Sequence, residues 1–161
     1  MATFKWIKEK LPIDLEVKQV YGVIFSNDGK ILLRIENNKY KLTGGKPERN
    51  ETFEETLKRE YMEELNIEID NIHYLGYLLV KEDNDNNPYA QVRMIATIKK
   101  INENRPDTDT GILYERFLAN LDNVKKYLNY KDDAGNTMID DAITLANQKY
   151  KFKKDSKEYY V

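Results

Sequence analysis

One stretch of this chain constrains its fold more than any other: the acidic run of residues 45–67. It follows Gly44, begins at Gly45 and ends in the pattern Arg-Glu-x-x-Glu-Glu before the last apolar residues. On a helix, where each residue advances by about 100°, three carboxylates lie within one turn of each other: Glu60, Glu63 and Glu64. Because like charges this close repel each other, the run predicts that a cation lies among them.

The sequence also marks both ends of this helix. Thr52 can cap the first turn, and Glu55, three residues later, completes a capping box. The helix is predicted to end near Leu65, because Asn66 tolerates the left-handed conformation that follows many helices.

The acids of the predicted helix lie beside its apolar stripe, which faces a sheet and consists of Phe53, Leu57, Tyr61 and Leu65. Glu64 falls inside that arc, Glu60 lies at its edge and Glu63 lies on its shoulder. A solvated acidic face, the ordinary interpretation of glutamates on a helix, would lie on the opposite side. Crowded acids at a partly dry position take up protons unless a cation stabilises them. A divalent ion with oxygen ligands fits this role, and Mg²⁺ is the natural choice.

Most of the remaining first two thirds of the chain is predicted to form strands. Five segments are expected to be extended: 17–25, 30–35, 40–43, 71–80 and 90–101. Gly44 and Gly45 are expected to break regular structure, and Lys81–Pro88 is expected to form a polar loop. Strands, one central helix, more strands and final helices are typical of a mixed sheet flanked by helices.

Two C-terminal helices are predicted over about 113–150. The second of them begins at Thr137, and the first has one apolar side made of Phe117, Leu121, Val124 and Leu128. The short tail from Lys151 onward is polar and is expected to be a solvated end. With no internal repeat and no evident linker, a chain of 161 residues predicts a single domain.

Composition argues against several functional classes. The formal net charge of −2 is not that of a protein that coats DNA or RNA or binds membranes through basic residues. The absence of cysteine excludes disulfide scaffolds, thiolate zinc sites and cysteine nucleophiles. No stretch approaches the ~20 apolar residues of a membrane span, and no signal peptide is evident. The expectation is a cytoplasmic protein without nucleic-acid or membrane partners.

The spacing of the acidic run resembles the signature of the Nudix hydrolases, the MutT-like family. That signature is Gly, five residues, Glu, seven residues, then Arg-Glu-aliphatic-x-Glu-Glu-x-Gly-aliphatic. Seven residues stand at the required spacings: Gly45, Glu51, Arg59, Glu60, Glu63, Glu64 and Ile67. Tyr61 replaces an aliphatic residue and Asn66 replaces the last glycine, but neither is a metal-ligand position, and Asn tolerates the left-handed conformation.

The resemblance implies an α/β Nudix fold, in which a mixed β-sheet is sandwiched between α-helices, with one Nudix hydrolase domain over residues 1–161. It implies that the catalytic residues are Arg59, Glu60, Glu63 and Glu64. The three glutamates and the carbonyl of Gly44 would bind Mg²⁺, with Mn²⁺ as the alternative ion.

The resemblance also implies how the substrate is bound. Gly45 would let a diphosphate approach the backbone, and Glu51 would brace the loop before the helix. Arg34 and Lys46 are candidates for contact with phosphate. Three tyrosines are weaker candidates for stacking on a base, and a structural role is the better interpretation of each: Tyr21, Tyr40 and Tyr89.

The general base stays open between two alternatives. In some family members it is the first glutamate of the pattern, which is Glu60 here. In others it lies in a downstream loop, where four acids are candidates: Glu103, Asp107, Asp109 and Glu115.

The implied activity is the Mg²⁺-dependent hydrolysis of the diphosphate linkage in a nucleoside diphosphate derivative, a small-molecule nucleotide. The alternative is a catalytically weak Nudix-like module that binds or senses a nucleotide, although such a module would not need all three metal carboxylates. The isoprenoid diphosphate isomerases of the same fold are discounted, because this chain has no Cys and one His. Two subgroup markers are absent at Glu82 and Asp83, so the substrate stays open, and so does a homodimer.

Overall fold

The computed structural model describes residues 1–84, 87–155 and 157–161. In this part of the chain the elements are β1 Thr3–Ile7, β2 Val17–Phe25, β3 Ile31–Glu36, β4 Lys39–Lys41, β5 Thr43–Gly45, α1 Phe53–Leu65, β6 Ile67–Lys81, β7 Tyr89–Ile101, β8 Glu115–Ala119, α2 Val124–Leu128, α3 Asp133–Lys149 and β9 Tyr159–Tyr160. Asp85 and Asn86 of the predicted polar loop, and Ser156 of the predicted tail, lie outside the described residues.

The strands form one mixed sheet in the order β1-β6-β7-β2-β3-β8-β9, with β4 paired to β3 and β5 paired to β2. Strands β2 and β7 run parallel, and the other pairs that the structure describes are antiparallel. The two faces of the sheet are covered by different helices. On β2, Val20 and Ile24 belong to the cluster under α1, whereas Val23 and Phe25 belong to the cluster under α3. The predicted α/β fold, a mixed sheet between helices, is therefore confirmed.

Helix α1 begins and ends where the sequence predicts. Thr52 Oγ1 accepts the backbone N–H of Glu55 at 3.1 Å, and Glu55 Oε1 accepts that of Thr52 at 3.0 Å, which completes the capping box. Asn66 has a φ of 53° and donates its backbone N–H to the carbonyl of Met62 at 3.1 Å. Because Asn accepts this left-handed conformation, its replacement of the usual glycine leaves the helix end intact.

The prediction that the glycine pair breaks regular structure was wrong. Gly44 and Gly45 end strand β5, where they pair with Tyr21 and Val20 of β2. A Cβ on Gly44 would lie 2.1 Å from the carbonyl oxygen of Val20. The missing side chain is thus what allows β5 to approach β2 so closely.

The predicted first C-terminal helix was also wrong in its first half. The segment around Phe117 is strand β8, which pairs with β3 in the register Leu33 to Phe117 and Ile31 to Ala119. The helix that follows is confined to α2, Val124–Leu128. Apolar residues about four positions apart are typical of a helix but do not exclude a strand, and so this spacing favoured the wrong structure. The segment forms a strand because the edge of β3 offers it backbone groups with which to pair.

Two further boundaries differ from the prediction. Helix α3 begins at Asp133 rather than at Thr137, because Asp132 Oδ1 accepts the backbone N–H of Gly135 at 3.3 Å and caps the first turn. The tail is only partly a solvated end, since β9 pairs with β8 and the carbonyl of Val161 accepts Nε of Arg116 at 2.9 Å.

The extent of the domain over residues 1–161 stays a prediction. Within the described residues no helix is both long and apolar enough to cross a bilayer.

Replacement of Thr52 by Ala is expected to lower the free energy of unfolding by about 1 kcal/mol, because the N-terminal N–H groups of α1 lose their side-chain acceptor. Thr52→Ser keeps the hydroxyl and is the matched control, which should stay within about 0.5 kcal/mol of the parent. Urea denaturation of the three proteins measures both differences. Equal losses in the two variants would contradict a stabilising cap.

Candidate active site

Arg59, near the middle of α1, is the centre of a network of ion pairs. Its Nε and Nη2 donate to the two carboxylate oxygens of Glu51 at 2.7 and 3.0 Å. Nη2 also donates to the carbonyl of Lys46 at 3.1 Å. The loop between β5 and α1 is therefore fixed to the helix by a planar, two-pronged contact, the strongest geometry that an ion pair offers.

Glu51 is held by two further donors. Its Oε1 accepts Oγ1 of Thr56 at 2.6 Å and the backbone N–H of Glu48 at 3.0 Å. These donors all favour the charged carboxylate, and Arg59 most of all, so the pKa of Glu51 is lowered to about 2.

Glu60 lies against strand β5. Its Oε1 accepts Nη1 of Arg59 at 2.9 Å, and a Cβ on Gly45 would lie 2.4 Å from the same oxygen. Only a glycine leaves room for this carboxylate between helix and strand. The half-buried position raises the pKa of Glu60, because burial disfavours the charge more than Arg59 favours it.

Glu64 is the most buried acid of the run, at 7% exposure. Its Oε1 accepts Nη1 of Arg34 at 2.6 Å, and its Oε2 has no hydrogen-bond partner among the described residues. Burial raises the pKa of Glu64 to about 8, and it outweighs the opposing effect of Arg34. The negative charge of Glu60 adds to this rise.

Glu63 lies on the open side of the helix, beside a cleft. Its Oε2 accepts Nη1 of Arg59 at 3.3 Å, and its carbonyl accepts the backbone N–H of Thr108 at 3.2 Å. The cleft has a volume of about 770 Å³ and is lined by Lys46, Pro47, Glu48, Arg49, Arg59, Glu60, Glu63, Thr108 and Asp109. It is large enough for a small molecule.

The four downstream acids have different surroundings. Asp109 lines the cleft, and the buried Asp107 is close enough to Glu64 to raise the pKa of that carboxyl. Glu103 and Glu115 are exposed and do not line the cleft. The structure thus brings two of the four candidates near the carboxylates of α1.

The chemistry of this donor set suits a hard divalent ion. As the side chains stand, the described residues contain no group of three Asp, Glu or His that could hold a metal ion. The buried Oε2 of Glu64, which has no hydrogen-bond partner among the described residues, is nevertheless available to a ligand, whereas the role of the Gly44 carbonyl stays a prediction. Carboxylate and carbonyl oxygens are the ligands that Mg²⁺ and Mn²⁺ prefer.

Some contacts of the site were not predicted from the sequence. Arg105 donates to the carbonyls of Met62 at 2.6 Å and Glu63 at 3.1 Å, and Arg116 donates to that of Leu65 at 2.8 Å. Two guanidinium groups thus satisfy the last carbonyls of α1. Their partners are distant in sequence, so no local pattern announces them.

The predicted substrate-contact residues are separated in space. Lys46 lines the cleft, whereas Arg34 pairs with Glu64 and lies over the ring of Tyr114 at 4.3 Å. Tyr89 donates to Glu82 at 2.9 Å and lies away from this cleft. Tyr21 and Tyr40 line a second cavity.

The fold corresponds to one known class of proteins. A family model described as the NUDIX domain matches residues 16–133. Among solved structures, the pyrophosphohydrolase BsRppH of Bacillus subtilis is 22% identical, with a TM-score of 0.66 over 87% of this chain and 89% of that chain. A MutT protein described for Aliivibrio salmonicida and Vibrio cholerae is 16% identical, with a TM-score of 0.57 over 79% of this chain and 95% of that chain. A NUDIX hydrolase from Nitrosomonas europaea is 19% identical, with a TM-score of 0.59 over 86% of this chain and 93% of that chain.

These structures share the fold with this chain. Among curated proteins, none matches it. The family model covers most of the sequence, and the chain therefore belongs to the Nudix hydrolase family. Proteins of this family generally use divalent metal ions.

Replacement of Glu51 by Gln is expected to lower the free energy of unfolding at neutral pH, with less effect as the solution becomes more acidic. The pKa of Glu51 falls from 4.5 to about 2 on folding, so its stabilising contribution is complete above 4.5 and is lost as the pH falls toward 2. Denaturation of both proteins across this range measures the difference. Glu54→Gln, at an exposed position of α1, reports the effect of removing a surface carboxylate. A loss that does not depend on pH would contradict the ion pair.

Proposed function

We propose that this protein is a Mg²⁺-dependent pyrophosphohydrolase that cleaves the diphosphate linkage of a nucleoside diphosphate derivative. One observation carries the proposal: Glu64 is buried on the sheet side of α1, and its Oε2 has no hydrogen-bond partner among the described residues. Acids held against their own desolvation serve a function more often than they serve stability.

In this proposal Glu60, Glu63 and Glu64 hold the ion together with the carbonyl of Gly44. When bound, the ion neutralises the diphosphate and lowers the pKa of an attacking water. Arg59 orients Glu60 and Glu63 through its Nη1, at 2.9 and 3.3 Å.

Three further residues support the carboxylates and the substrate. Glu51 fixes Arg59 through both carboxylate oxygens, and so keeps its third nitrogen directed at the acids. Lys46 lines the cleft with an exposed ammonium group that suits a phosphate. Arg34 would bind phosphate only with its free N–H groups, because its Nη1 is bonded to Glu64.

The proton of the attacking water is taken by Glu60 or by an acid of the loop at Asp107 and Asp109. Glu60 is a candidate by its half-buried position beside Arg59, and Asp109 is a candidate because it lines the cleft. The substrate is a small-molecule nucleotide, such as a nucleoside triphosphate, a nucleotide sugar or a similar nucleoside diphosphate derivative. The alternative function is that of a catalytically weak module that binds such a nucleotide.

Glu64→Gln is expected to reduce Mg²⁺-dependent turnover by about 100-fold or more while leaving the fold intact, because an amide keeps the shape but loses the charge that a metal ligand needs. The matched control is Glu54→Gln, an exposed acid of the same helix that does not line the cleft. Initial rates and circular dichroism of both variants test the prediction. Unchanged activity in Glu64→Gln would refute the metal role.

A panel of nucleoside triphosphates, nucleotide sugars and dinucleoside polyphosphates, incubated with Mg²⁺ and scored by phosphate-containing products, tests the activity itself. We expect cleavage of at least one class, its loss in EDTA and its recovery when Mg²⁺ or Mn²⁺ is added. Calorimetric binding of the same compounds without any cleavage would favour the binding module instead.

A further inference from the structure

The connection between β7 and β8, residues 102–114, contains no helix and no strand. Connections of this length without regular structure are uncommon in compact domains, and they often serve a function. This loop, the 102–114 loop, carries Asp107 and Asp109, the two downstream acids that lie near the carboxylates of α1. The contacts that hold the loop in place therefore determine where these two acids lie.

The 102–114 loop is bonded to the last turn of α1 through backbone carbonyls. Arg105 Nη2 donates to the carbonyl of Met62 at 2.6 Å, and its Nη1 donates to that of Glu63 at 3.1 Å. The backbone N–H of Thr108 donates to the same carbonyl of Glu63 at 3.2 Å. The last carbonyls of a helix have no partner within the helix, and a cation beside them is favoured by the helix dipole. Because the last turn of α1 contains no basic residue, Arg105 supplies this cation from the loop.

Asn66, which follows α1, contacts the same loop with its side chain. Its Nδ2 donates to the carbonyl of Glu103 at 2.9 Å, and its Oδ1 accepts Nη2 of Arg105 in a longer contact of 3.4 Å. Its backbone carbonyl accepts the N–H of Asn102 at 3.2 Å. A glycine, which the Nudix signature has at this position, also adopts the left-handed conformation but could form only the backbone bond. The departure from the signature thus adds two side-chain contacts to the loop.

Beyond Arg105 the loop folds tightly around Asp107. This residue is 5% exposed, and its Oδ1 accepts the backbone N–H groups of Asp109 at 2.7 Å and Thr110 at 3.3 Å. Its carbonyl accepts the N–H of Gly111 at 2.8 Å. Because the turn is closed by its own hydrogen bonds, a shift of the anchored end of the loop would move both acids together relative to α1.

We propose that Asn66 and Arg105 are positioning residues, whose side chains hold the 102–114 loop against the last turn of α1. They thereby fix the distance between the acids of the loop and the carboxylates of the helix. A displacement of about 1 Å can slow a reaction by about 100-fold, so side chains that do not touch the substrate can still determine the rate. Their effect on turnover rests on the proposed hydrolytic function, whereas their effect on the loop does not.

The variant Asn66→Gly separates the two roles of this residue, because glycine keeps the left-handed backbone and removes the side chain. In EDTA, we expect the amide of Thr108 to exchange with deuterium about fivefold faster than in the wild type, the effect of one lost hydrogen bond. The amides of α1 should keep their exchange rates. With Mg²⁺, kcat is expected to fall by about tenfold, within the range that misplacement of a catalytic group causes, while KM stays unchanged.

Three further variants complete the test. Arg105→Gln removes the charged bonds to α1 and should speed the exchange of Thr108 by about tenfold or more. Arg105→Lys keeps the charge beside the helix end but loses the planar pair of donors, and it should recover part of kcat. The matched control is Asn71→Gly, because Asn71 is also left-handed, with a φ of 53°, and lies in β6 outside the cleft. It should leave the exchange of the loop and kcat unchanged.

Thermal unfolding of each variant accompanies these measurements. If Arg105→Gln does not fold, Asn66→Gly carries the test. Unchanged exchange of Thr108 in the folded variants would overturn the proposal, and faster exchange with an unchanged kcat would show that the two side chains only cap the helix. A wild-type protein that hydrolyses no nucleotide would refute the hydrolytic function instead, and the exchange rates would still decide whether Asn66 and Arg105 hold the loop.

Discussion

The contact between Arg59 and Glu51 is the interaction on which this site depends. Glu51 precedes the helix and Arg59 lies within it, so their two-pronged ion pair fixes the loop after β5 to the acidic side of α1. A planar guanidinium held at two nitrogens also has a fixed orientation. Its third nitrogen consequently reaches Glu60 and Glu63. One side chain thus determines where the loop lies and which way two acids face.

The acids of α1 are held where their charge is unfavourable. Glu64 is buried beside one guanidinium and close to Glu60, and the pKa of both carboxyl groups is raised. A helix selected only for stability would carry apolar residues at these positions, since well-packed apolar groups match or exceed a buried ion pair in stability. Gly45 is likewise suited to the carboxylates rather than to the strand, because its missing side chain leaves room for Glu60. The helix and the strand are therefore both adapted to the carboxylates.

The features that could be predicted from the sequence are those that depend on contacts between residues close to each other in the chain. The capping box at Thr52, the left-handed Asn66 and the acidic face of α1 all depend on residues within a few positions of each other. Strand β8 was mistaken for a helix because its identity depends on an edge of β3 that is far away in the chain. The same reason hid the hydrogen bonds of Arg105 and the ion pair between Arg34 and Glu64, which join residues 30 or more positions apart.

This division between local and distant contacts also separates the parts of the site. The carboxylates and the Arg59–Glu51 ion pair that orients them come from one helix and the loop before it. A single continuous stretch of sequence therefore indicates the proposed chemistry. The second cavity, which Tyr21 and Tyr40 line, is assembled from β2, β4, β7 and α2, and no continuous stretch of sequence marks it. Tyr21 lies between this cavity and the carboxylates. Its ring lies under Arg93, and the charges of Glu64 and Arg34 act on the pKa of its hydroxyl. A molecule that contacted this tyrosine would therefore lie close both to Arg93 and to the acidic helix.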